Sequence, residues 1–134
     1  HERGYDMDIG YYQVNTSDNR LREVCDHVSG GADQYHCLSE PYALDIWRTA
    51  LFLGKMMDSD QFRAAGVDGK AGDVLIEAAE QLCGAGFLEG RVCDEGLAVV
   101  FDRTAAEDIG WFHFHHHHFH VTIFDKNGIG LPNW

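Results

Sequence analysis

The chain has 134 residues, enough for one domain with a modest core and too few for two. Its apolar share of 45% and aromatic share of 12% exclude a disordered chain, and a net charge of −12 excludes the basic surface that non-specific nucleic-acid binding needs. No run approaches the ~18 apolar residues of a membrane span, and the first residues lack the basic-then-apolar pattern of a signal peptide.

Residues 7–15, rich in aromatic and β-branched side chains, predict a strand. Residues 16–39 are polar, hold Cys25 and Cys37, and read as a surface excursion with a short helix over 21–24. Pro41 suits the first turn of a helix running to about residue 57, with Ser39 as its cap. Leu44, Trp47 and Leu51, with Ile46, Ala50, Leu53 and Met57, give that helix a broad buried face and put Trp47 in the core. Breaks are expected at 58–60 and 66–72. A second helix over 72–83 carries Val74, Leu75, Ala78, Ala79 and Leu82 on one side and ends at Gly84 and Gly86. Glu77 and Glu80 fall on its solvated side. A short strand over 87–93 and a short helix over 95–101 follow, then a loop at 105–110. The last element is a strand over 118–124, closed by a turn at 125–128. The expected class is α+β: a small antiparallel sheet with flanking helices.

Cysteines at 25, 37, 83 and 93 allow three pairings, and the sequence-local Cys25–Cys37 and Cys83–Cys93 are the expected ones. Disulfides place the chain in a periplasmic or secreted compartment; four reduced core cysteines in a cytosolic protein are the competing reading.

Six of the nine histidines lie in Trp111-Phe112-His113-Phe114-His115-His116-His117-His118-Phe119-His120. On a strand, His118 and His120 share one face while Phe119, Val121 and Ile123 take the other, so two imidazoles can converge on one cation. At the other end, His1 and Asp8 stand seven apart with Gly4 between them, and Asp8 begins the first strand. A loop histidine and a strand carboxylate complete a His-Asp-His set with a fourth position open to water, the count of a catalytic zinc. Asp6 either orients a ligand through a hydrogen bond or is simply solvated.

These two segments resemble the zinc peptidases that cut cell-wall peptides: lysostaphin-type endopeptidases, D-Ala-D-Ala carboxypeptidases and penicillin-insensitive murein endopeptidases. His1, Gly4 and Asp8 match the first motif of that group, and His118-Phe119-His120 its second. The His-x-x-Gly-x-Asp-x-Asp form and His-Phe-His-Val are most similar to the murein endopeptidase branch. The resemblance implies a hedgehog/D-Ala-D-Ala peptidase-like core spanning 1–134 as one domain, with Zn2+ held by His1, Asp8 and His120. It makes His118 the catalytic histidine and His115, three residues earlier, its helper. Family members carry residues before the first ligand, so the resemblance also implies a chain truncated or processed before His1, or completed by a separate N-terminal segment.

The implied activity is hydrolysis of peptide bonds, in peptidoglycan stems, by metal-activated water assisted by histidine. No His-Glu-x-x-His helix offers a glutamate base, so histidine takes that place. Trp111 reads as core like Trp47, with walling of a peptide cleft by Trp111, Phe112 and Phe114 as the alternative, and His113, His116 and His117 read as local surface. The alternatives are a non-catalytic histidine-rich metal-binding protein, an inactive remnant of the peptidase fold, and a copper site built on an N-terminal His1. A purification tag, which sits at a chain end in six or more uninterrupted residues, fits this run of four poorly.

Overall fold

A computed structural model describes residues 5–18, 20–27, 36–101 and 115–124. Its first strand, β1, is Asp6–Gly10. The chain leaves the sheet there, and Gln13 instead bridges Leu44. Asn15, at φ +59°, turns it. The predicted strand over 7–15 is thus one short strand and a detached bridge, because the two halves find different partners. Residues 21–24 are not helical. They are tied to two other segments, Val24 N–H donating to His116 O at 2.9 Å and Ala43 N–H donating to Val24 O at 3.0 Å.

Helix α1 is Ile46–Met57, five residues shorter at its start than the sequence suggests. Asp45, in extended conformation, accepts the Arg48 N–H at 3.0 Å, and its other oxygen accepts from Arg48 Nε at 2.6 Å. Pro41 lies in the preceding turn, where its carbonyl accepts from Leu44 N–H. Ser39 Oγ accepts the Asp26 N–H instead of capping a helix. The buried stripe of α1 is Thr49, Ala50, Leu53, Gly54 and Met57. Small residues in that stripe let neighbours approach: a Cβ on Gly54 would stand 2.7 Å from Leu88 Cδ1. Trp47, at the first turn and the edge of the stripe, is 46% exposed and not part of the core.

Phe62–Gly66, in a stretch that sequence left between breaks, is strand β2. Helix α2, Gly69–Gly84, begins three residues earlier than expected because buried Asp68 caps it. One Asp68 oxygen accepts from Lys70 N–H (2.9 Å) and Ala71 N–H (3.4 Å), and the other accepts from Cys37 N–H at 2.8 Å. Both expected disulfides are present, Cys25–Cys37 and Cys83–Cys93. The second ties the end of α2 to helix α3, Arg91–Glu95, where a strand was expected. Gly90, at φ +76°, makes the bend into α3 that an extended segment would not. A single 3-10 turn, Leu97–Val100, replaces the expected helix over 95–101.

The last strand, β3, is His118–Ile123. It is central: the sheet order is β1-β3-β2 with both pairings antiparallel. Phe119 and Val121 turn inward, buried. The Phe119 ring lies 6.0 Å from that of Phe52 on α1 and 5.6 Å from that of Tyr11. The opposite faces of residues 118, 120 and 122 are thereby committed to the other side of the sheet. The architecture is α+β, as expected. Among the described residues no helix is long and apolar enough to cross a membrane. Two disulfides fit an oxidising, extracellular compartment.

Candidate metal centre

Strand register assembles the site. On β1 and β3, Asp6 stands opposite Thr122, Asp8 opposite His120, and Gly10 opposite His118. Directly paired residues share a face and hold their Cβ atoms about 5 Å apart. Two motifs separated by more than a hundred residues therefore meet side chain to side chain. On the far side of His120, β2 presents Gly66, and Ala64 lies opposite Thr122.

Asp8 Oδ1 lies 2.8 Å from His120 Nδ1 and 3.6 Å from His118 Nε2. Asp6 Oδ1 accepts the Thr122 hydroxyl at 2.9 Å and lies 3.4 Å from His120 Nε2. The Asp6 side chain is only 10% exposed, so it is an oriented group and not a solvated one. His120 thus sits between two carboxylates. A neutral imidazole donates one N–H and can serve only one of them. With Nδ1–H the ring donates to Asp8 across 2.8 Å; with Nε2–H turned to Asp6, the Nδ1 lone pair faces Asp8 and the two can share a cation. A carboxylate that fixes the ring while the other nitrogen binds metal is a recurring arrangement at histidine-ligated zinc. The donor chemistry of Asp8 and His120 fits zinc.

His115 is buried, its ring centre 4.7 Å from that of His118 and 6.3 Å, edge-on, from that of His120. The His118 Nδ1 is 2.8 Å from His117 Nδ1, one donating to the other. Burial, with His117 beside it, pushes the His118 imidazole down to about 4, against the pull of Asp8. At neutral pH His118 is therefore uncharged and carries a lone pair. Burial lowers His117 in the same direction.

Of the residues singled out by sequence, Asp8, His115, His118 and His120 come together, with Asp6 beneath them. His1 lies outside the described residues, as do Trp111, Phe112, His113 and Phe114.

A second group was not foreseen. The donor atoms of Glu23, His27 and His116 all lie within 4.8 Å of one another, and the group could hold a metal ion. His116 is 6% exposed and is not surface. It is buried because its ring stacks on that of His27, with centres 4.3 Å apart and planes inclined by 24°. The only sequence signal was Glu23 and His27 at a spacing of four, which points nowhere without the 116 segment.

Comparison with protein-family models, curated proteins and solved structures finds no significant match for this chain.

Proposed function

We propose that this chain is a zinc-dependent endopeptidase that hydrolyses peptide bonds, with the peptide stems of bacterial peptidoglycan as its substrate class. The observation that carries the reading is the direct register of Asp8 with His120, their donor atoms 2.8 Å apart. Asp8 and His120 would hold the ion, with His1 as the third ligand that the family resemblance implies. Bound zinc supplies a Lewis acid for the scissile carbonyl and a water acidified toward neutrality.

The chain's own groups do the rest. Asp6, anchored by the Thr122 hydroxyl, orients the His120 ring. His118, with Nε2 3.6 Å from Asp8 Oδ1, would act as the general base beside the ion. A tautomer that donates Nδ1–H to His117 leaves Nε2 as the basic atom, on the Asp8 side. There it takes the proton of the attacking water and returns it to the leaving amine. His115, packed against the His118 ring, would steady charge that develops on the carbonyl oxygen.

The test separates ligand from base. Asp8→Ala and His120→Ala should each lose the zinc of this centre and turnover together. His118→Ala should keep zinc and lower hydrolysis of a stem peptide by about 10²–10⁴-fold, the usual worth of a positioned acid–base group. Full activity in His118→Ala would sink the catalytic role. A second reading, a histidine-rich metal-binding protein without catalysis, is favoured by the Glu23, His27 and His116 group. It requires zinc binding indifferent to Asp8 and no hydrolysis.

A further inference from the structure

We infer that Glu23, His27 and His116 form a second zinc site, separate from the Asp8–His120 centre and independent of the peptidase reading. Its donors are two imidazoles and one carboxylate, a set that zinc takes with a fourth position left open. Zn–N bonds of about 2.0–2.1 Å put two imidazoles on one ion with ring centres roughly 5 Å apart. The His27 and His116 rings are already 4.3 Å apart, so small rotations bring both to an ion. The Glu23 carboxylate lies 3.8 Å from His27 Nδ1 and is exposed, free to swing inward.

The backbone beneath these side chains is held before any ion arrives. Cys25, two residues from both Glu23 and His27, is disulfide-bonded to Cys37, and His27 itself bridges Cys37. Val24 N–H donates to His116 O, which fastens the two ligand-bearing segments together. Little ordering entropy is then left to oppose binding. The open coordination position has somewhere to face: a surface pocket lined by Leu21, Arg22, Glu23, His116 and His117. Arg22 does not compete for Glu23, because Asp18 engages its guanidinium through both oxygens.

Zinc alone is the probe, titrated by calorimetry and counted by elemental analysis on chelator-treated, disulfide-intact protein. The wild type should bind one zinc more than His27→Ala. Glu23→Gln, a change at an exposed side chain that the fold tolerates, should weaken that same zinc by at least about tenfold, the scale on which even partners beyond the ligands act. Asp8→Ala should retain the zinc that His27→Ala loses. If Asp8→Ala matches the wild type while His27→Ala still drops one zinc, the peptidase reading fails and the second site stands. Equal zinc stoichiometry and affinity in wild type, Glu23→Gln and His27→Ala would overturn the second site.

Discussion

Asp68 is 1% exposed and is the point where three parts of the chain are pinned together. Its carboxylate caps α2 through Lys70 N–H and Ala71 N–H, accepts the buried Cys37 N–H at 2.8 Å, and its own backbone N–H donates to Tyr11 Oη at 3.2 Å. Asp68→Ala removes the cap, worth about 1 kcal/mol. It also strands the Cys37 N–H, at about 1–3 kcal/mol. The sum is about 2–4 kcal/mol, a large part of a stability that for such domains is about 5–15 kcal/mol. Asp68→Asn keeps one oxygen for the cap but meets the Cys37 N–H with an amide nitrogen, so it should lose only the second quantity. Urea denaturation with the disulfides intact reads the difference as a midpoint shift at constant slope. Burial also raises the Asp68 pKa, against the pull of its N–H donors. With a folded value above the unfolded one, its contribution is fully present below the unfolded pKa of about 3.9 and declines as pH rises through the folded value. The wild-type advantage over Asp68→Asn should accordingly narrow from acid to neutral pH. An Asp68→Ala loss below about 1 kcal/mol, within the range of a cap alone, would refute the pinning role.

Two further outcomes are expected. Thr122→Val keeps the shape of a buried side chain but removes the hydroxyl that Asp6 accepts at 2.9 Å; zinc affinity should fall about 10–100-fold, measured by competition with a chelating dye, while the fold persists. Replacing both Cys25 and Cys37 by alanine opens a loop with a sequence separation of 12 and should cost nearly 3 kcal/mol in thermal or urea unfolding. It should also weaken the zinc binding proposed at His27, which lies two residues from Cys25 and bridges Cys37.

What the sequence made legible was local. The alternation in His118-Phe119-His120-Val121 announces a strand with a chemical face and a core face, and β3 has both. Local cysteine spacing gave the disulfides, and apolar periodicity gave α1 and α2. What it concealed depended on partners far along the chain. Phe62–Gly66 carries little β-propensity and is a strand because β3 pairs with it. Trp47 matches a helical stripe in spacing, but the small residues Thr49, Ala50 and Gly54 rotate the buried face away from it. His116 looked like one more surface histidine until His27 lay against it. Asp8 was singled out by its spacing from His1, yet what gives it weight is its pairing with His120, and no local pattern encodes that register.

The central place of β3 explains how so small a sheet brings the candidate ligands Asp8 and His120 together. An edge strand would fix His120 from one side only. Here β1 sets a carboxylate beside it through Asp8, and β2 sets a glycine on its other side, buried Gly66, with no side chain to crowd the ring. Beneath the sheet, Phe119 and Val121 lock the strand into the core, so the histidine face cannot flip without exposing them. The same strand meets the second cluster at its entry, where His116 O is tied to Val24 and His117 touches His118. One short segment thus links the sheet and the Cys25–Cys37 disulfide to both groups of candidate ligands. Positional precision of that kind is what the proposed metal sites require and a run of histidines that merely attracts metal does not.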